Sequence, residues 1–197
     1  MKCILVLLSF VFTIQATAEL TFNNPQKGEV KISESLQKIL IKWDPDFKVF
    51  PLKSFPPTVI GLFRDAKNEL PMAVAGDFNG DKQTDYALMG FNKTQQKIVF
   101  LIKHNETYLP VLVNAEKYKD PQVSFIDMEE TGREKGLSTY LSLLPAKTIE
   151  MGKKSTFKNK PDGLQIENYG GGTTAFYSKS TDKNKVEVKE YKGMINE

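Results

Sequence analysis

The chain has 197 residues, 27 Lys and Arg against 24 Asp and Glu, and a formal net charge of +3. That near-balance excludes nucleic acid as the partner, because phosphate recognition needs a concentrated excess of basic side chains. The one cysteine, Cys3, excludes an internal disulfide and any cysteine-rich metal site.

The first stretch, MKCILVLLSFVFTIQATAEL, carries Lys2, an apolar run from Cys3 to Ile14, and small residues Ala16 and Ala18 at the spacing of a signal-peptidase site. Residues 1–18 therefore read as a secretory signal peptide. The apolar run is well short of the roughly 20 residues that span a bilayer, so no transmembrane segment is expected after cleavage. A mature chain starting at Glu19 contains no thiol. Its stability must come from a core, from a bound ion, or from both, and roughly 180 residues suffice for one domain with a proper core.

Leu20 to Lys31 is polar and turn-rich. Ser33 then stands as an N-cap before ESLQKILIKW, where Leu36, Ile39, Leu40 and Trp43 share one helical face. Asp44-Pro45 ends that helix, because the residue before proline resists the α region. The segment FKVFPLKSFPP, residues 47–57, is aromatic and proline-rich and reads as an extended loop or edge over the core. From Pro71 the period changes: MAVAGDF, TDYALMGF, KIVFLIK and TYLPVLV follow one another with short polar connections, the pattern of an antiparallel meander. The connection HNE places Asn105 where a left-handed conformation is suited. LSTYLSLL, LQIENY, TTAFYS and VEVKEY form a second strand-rich block, with a bend at Gly170-Gly171-Gly172. Residues 19–197 are thus expected to be one α+β domain, mainly antiparallel sheet, with a single helix near its start.

The chemistry concentrates in GDFNGDKQTD, residues 76–85. With Asp77 as position 1, Asn79 is 3, Asp81 is 5, the Gln83 carbonyl is 7 and Asp85 is 9. Calcium takes roughly six to eight oxygens at short range, and alternate positions let a tight loop aim every second side chain inward. No sulfur or imidazole lies nearby, which argues against zinc or copper. An EF-hand needs a glutamate at position 12, where Leu88 stands, and TDYALMGF has strand rather than helix character. An Asn-Gly turn that binds nothing is the alternative, but a simple turn does not require carboxylates at positions 1, 5 and 9.

AVAGDFNGDKQTDYALMG resembles the FG-GAP or VCBS-type repeat of integrin α-subunit propellers and of many bacterial exported proteins. There a GDFNGDG-type loop joins two strands around calcium. The resemblance spans residues 71–91. It implies Asp77, Asn79, Asp81 and Asp85 as calcium ligands, with Gln83 contributing its carbonyl. It also implies export to the periplasm or beyond the cell in a bacterium. The family has glycine where Lys82 stands, so a positive φ is expected at a lysine. The family builds propellers from several repeats, whereas here one copy is clear. DMEETGREKG, with Asp127, Glu129 and Thr131 alternating, is a degenerate second copy whose ninth position is the cation Lys135. One or two units cannot close a propeller, and an open sheet is expected instead.

Other constellations are absent or unmarked. His104 is the only histidine, which leaves no second imidazole for a zinc site. No phosphate-binding fingerprint is present. The lysine-rich stretch 147–160 is a solvated surface or a patch for an acidic partner. The expected function is an exported, non-enzymatic calcium-binding module supporting protein or glycan binding. A secreted hydrolase working through carboxylates such as Asp46 and Asp127, with calcium structural, is the alternative.

Overall fold

The computed structural model describes residues 19–22, 30–118, 125–128, 132–148, 159–182 and 185–191. The expected signal peptide and most of the lysine-rich stretch lie outside these residues.

Strand β1 (Leu20–Phe22) pairs antiparallel with β2 (Val30–Ile32). Helix α1 (Glu34–Trp43) follows, and Ser33 caps it: its backbone is extended and its Oγ accepts the Leu36 N–H at 3.2 Å. The Glu19 carboxylate in turn accepts hydroxyl hydrogen bonds from Ser33 and Ser35, which ties the start of β1 to the cap. Leu36 and Leu40 are buried, while Ile39 and Trp43 pack at the core's margin. The helix stops at Asp44, whose φ of −148° is extended, as the following proline demands.

The proline-rich stretch is more structured than the sequence pattern indicates. It contains β3 (Lys48–Val49), a 3-10 turn over Leu52–Ser54, and a second short helix, α2 (Pro57–Leu62). Pro57 at the first helical turn is favourable because its missing N–H has no partner there anyway. The Glu134 carboxylate accepts the Thr58 N–H and hydroxyl, a cap supplied from 76 residues away in the chain.

The meander follows as β4 (Glu69–Leu70), β5 (Ala73–Gly76), β6 (Asp85–Phe91), β7 (Gln95–His104) and β8 (Thr107–Lys117). These strands lie in the order β4-β5-β6-β7-β8, and β3 pairs with β6 at Gly90 and Phe91 to make six. Asn105 turns the β7–β8 hairpin with φ of 53°, and the Asn side chain tolerates that left-handed conformation.

Strands β9 (Phe125–Met128) and β10 (Gly132–Lys135) form a separate hairpin in which Asp127 is paired with Arg133. The stretch read as a degenerate second copy is divided between the two strands of this hairpin, and its Glu129 and Thr131 lie outside the described residues. A four-stranded antiparallel sheet then runs β11 (Thr139–Leu144), β12 (Gly163–Asn168), β13 (Thr173–Asp182) and β14 (Lys185–Glu190). The architecture is α+β, mainly antiparallel sheet, with one sizeable helix and no closed barrel among the described residues.

Alternation along the strands decides which face is buried. Leu141, Leu164 and Ser178 of the second sheet face the core, and so do Val99, Leu101, Ala87 and Phe100 of the first, where β6 and β7 are covered on both faces. One contiguous apolar cluster takes members from β1 through β14. Phe50, Phe78 and Phe100 are among its largest enclosed side chains, each worth about 1.5–3 kcal/mol of apolar burial. The two sheets meet at β11. The Leu141 N–H donates to the Pro71 carbonyl at 2.9 Å, and the Leu143 N–H donates to the Glu69 carboxylate at 2.7 Å.

Candidate functional site

The loop 77–84 joins β5 to β6, and the pairing of Gly76 with Asp85 closes its base. Two residues take φ values that disfavour side chains, Gly80 at 75° and Lys82 at 70°. Lys82 is left-handed, at a cost of roughly 1–2 kcal/mol for a residue with a Cβ.

The side chains hold this shape by taking up the loop's own amides. Asp77 Oδ1 accepts from the N–H groups of Gly80 (2.8 Å) and Asp81 (3.0 Å), and its Oδ2 accepts from Lys82 (2.9 Å). Asn79 Oδ1 accepts the Asp81 N–H at 2.9 Å, and Asp81 Oδ1 accepts the Gln83 N–H at 2.8 Å. The amide nitrogens of Asn79 and Gln83 both donate to Asp81 Oδ2, at 3.0 and 3.2 Å. Asp77, Asn79, Asp81 and Gln83 therefore form one cluster at the loop surface.

Asp85 is placed differently. It is fully buried, and its two oxygens accept from the amides of Phe78 (3.0 Å) and Lys103 (2.7 Å). It thereby links the loop to β7 from inside. Phe78 points the same way, fully buried, with its ring 4.8 Å from that of Phe100.

Burial pushes the Asp85 carboxyl up to about 8; the Lys103 and Phe78 amides oppose that rise, and the charges of Asp81 and Asp77 reinforce it. Burial also raises Asp77 against the pull of its three amide donors, and Asp81 adds to the rise. The charge of Asp81 thus disfavours ionisation of Asp77 and Asp85, and that of Asp77 disfavours ionisation of Asp85.

The donor types expected in the sequence, Asp77, Asn79, Asp81, the Gln83 carbonyl and Asp85, are all oxygen, the kind a hard cation such as calcium takes. The side chains of Asp77, Asn79 and Asp81 cluster at the loop surface, whereas both oxygens of Asp85 are engaged inside. Among the described residues, no group of three His, Cys, Asp or Glu side chains stands together as a ready metal holder. Two of the five donors here are amide or backbone carbonyl oxygens, and Asp85 is engaged inward.

Residues distant in sequence complete the loop's surroundings. The Asp77 N–H donates to Asp162 Oδ2 at 3.0 Å, and the Asp162 N–H returns a bond to the Asp77 carbonyl at 2.7 Å. Asp162 Oδ1 accepts the Ala146 N–H at 2.8 Å. The Asn159 amide donates to the Gly80 carbonyl at 3.0 Å, and both the N–H and hydroxyl of Ser178 donate to the Phe78 carbonyl. Sequence reasoning missed Asn159, Asp162 and Ser178. Asp162 stands in a Pro-Asp-Gly turn signal, which marks a bend and says nothing about a partner elsewhere.

The remaining candidates are accounted for locally. His104 ends β7 opposite Thr107, and Asp46 forms an exposed pair with Lys93 at 3.0 Å. Phe50, Phe55 and Phe63 of the aromatic segment are core residues. No helix among the described residues is long and apolar enough to cross a membrane.

No protein-family model, curated protein or solved structure matches the chain. The resemblance to the FG-GAP and VCBS-type loop therefore rests on residues 71–91 alone.

Proposed function

We propose that the protein is an exported, non-enzymatic calcium-binding β module of the bacterial periplasm or cell exterior. Calcium locks the 77–85 loop, and the ordered surface around it supports binding of a protein or glycan. The observation that carries this reading is the clustering of Asp77, Asn79 and Asp81 around a loop with left-handed residues at positions 4 and 6. An ordinary two-residue turn needs no carboxylates, and where it takes two left-handed residues they are adjacent, whereas Gly80 and Lys82 are separated by Asp81. The ligands are Asp77, Asn79, Asp81, the Gln83 carbonyl and Asp85, and the ion's role is to neutralise and fix the connection between β5 and β6.

Thermal and urea unfolding of the mature chain, in calcium and in chelator, tests this directly. A site on the native state raises stability by about 2.7 kcal/mol at a hundredfold excess over Kd. Asp81→Ala removes the dependence, because Asp81 is exposed and its loss leaves the core intact. A wild-type chain with the same midpoint in both buffers would sink the proposal.

A further inference from the structure

The 77–82 loop is bonded at its rim to residues 159–162, just ahead of β12, and to β13, as well as within itself. Its inner amides, those of Gly80, Asp81 and Lys82, go to Asp77 and Asn79. Its outer polar groups, the Asp77 N–H and the carbonyls of Asp77, Phe78 and Gly80, go to Asp162, Ser178 and Asn159. The approach leaves no slack: a Cβ on Gly80 would stand 2.6 Å from the Asn159 carbonyl oxygen. Asp162 spans the junction, since one oxygen holds the loop at Asp77 and the other holds Ala146 beyond β11.

We propose that this junction is a latch, in which the 77–82 loop and the contacts made by residues 159–162 and β13 open and close as one unit, with Asp162 as the positioning residue. Partly buried amides and carbonyls separated from their partners lose hydrogen bonds that water replaces only after the surfaces part. Separation of the rim is therefore all-or-none on a local scale, in the manner of a cooperative sub-global opening. A ligand held by the loop stabilises β13 and the turn into β12 through the same contacts. That last step rests on the calcium reading, whereas the latch itself does not.

Amide hydrogen exchange resolved by residue decides the matter. In the full mature chain, Asp81→Ala loosens the loop from inside without touching the second sheet, and Gly80→Ala forces the rim away from Asn159. The latch requires the amides of Asp162, Ser178 and Ala146 to lose protection by the same factor as those of Gly80 and Lys82. Accelerated exchange confined to the loop, with Ser178 and Asp162 unchanged in Gly80→Ala, overturns it. With calcium at a hundredfold excess over Kd, protection at Ser178 and Asp162 rises about a hundredfold. A rise in the loop alone also overturns the latch. No rise anywhere defeats the calcium reading only, and the two variants still decide the latch.

Discussion

Asp77 and Asp162, 85 residues apart, hold each other by two reciprocal bonds: the Asp77 N–H to the Asp162 carboxylate at 3.0 Å and the Asp162 N–H to the Asp77 carbonyl at 2.7 Å. The pair joins the start of the acidic loop to the turn that leads into β12. Asp162→Ala strands two partly buried N–H groups, those of Asp77 and Ala146. Unsatisfied donors of this kind cost about 1–3 kcal/mol each, so urea denaturation should register a loss of about 2–6 kcal/mol. Asp162→Asn keeps one acceptor and should recover about half of it; equal losses for the two variants would contradict this account.

Lys82 at φ of 70° gives a prediction of opposite sign. Glycine takes that conformation freely but loses more freedom on folding. The net expectation for Lys82→Gly is a gain of about 0.5–1 kcal/mol in chelator. Lys82→Val should lose at least 1 kcal/mol, because a branched Cβ is poorly tolerated there. Denaturant midpoints of the three proteins, measured without calcium, should fall in the order Gly, Lys, Val.

Phe78 is the loop's hold on the interior. It is fully enclosed and packs on Phe100. Phe78→Ala combines lost apolar burial with a residual cavity and should cost about 3–5 kcal/mol. Phe78→Leu should recover more than half of that in the same unfolding assay.

Two carboxylates should answer pH in opposite directions. Burial alone would raise Asp44, but the Lys97 ammonium at 2.8 Å and the Asn92 amide at 3.0 Å hold it below its ordinary range. Its contribution to stability is present above about pH 4, the ordinary aspartate value, and is lost as pH falls through the lowered one. Lys97→Met, which removes the ammonium that stands over the Trp43 ring and pairs with Asp44, should flatten that acid limb. Glu69 is raised, by burial first and by the charge of Glu167, against the bond from Leu143. Its contribution is present at acid pH and lost as pH rises through the raised value. Glu69→Gln keeps an acceptor for Leu143, so its stability relative to wild type should rise above about pH 4.3. A series of urea midpoints from pH 3 to pH 8 reads both effects.

The strands were legible because their apolar period and their turn residues agreed. KIVFLIK and TYLPVLV, bent at Asn105, became β7 and β8, and Ser33 and Asp44-Pro45 bounded α1 as expected. Helix α2 was hidden because six proline and aromatic residues in the 47–57 stretch signal extended backbone, while its cap comes from Glu134 across the fold. The loop's alternating oxygen-bearing residues were visible through their spacing. Their division into a surface cluster and a buried anchor was not, because Asp85's burial is set by Phe78 and by strand β7 rather than by its neighbours in sequence. Asp162, Asn159 and Ser178 were invisible for the same reason, since no local pattern announces a partner about 80 to 100 residues away.

Those separations also bear on the order in which the chain can assemble. The β5–β8 meander is made of adjacent hairpins, whose closure costs little entropy, whereas the bonds from Asp162 and Ser178 to the loop close intervals of 85 and 100 residues. The meander therefore has the material to form first, with the carbonyls of Asp77, Phe78 and Gly80 still facing water until β12 and β13 arrive. Ser178→Ala, which removes a late contact, should accelerate unfolding several-fold and leave the refolding rate nearly unchanged. A late-arriving sheet completes the acidic loop's rim, so a folding chain acquires its local hairpins before it acquires a finished loop.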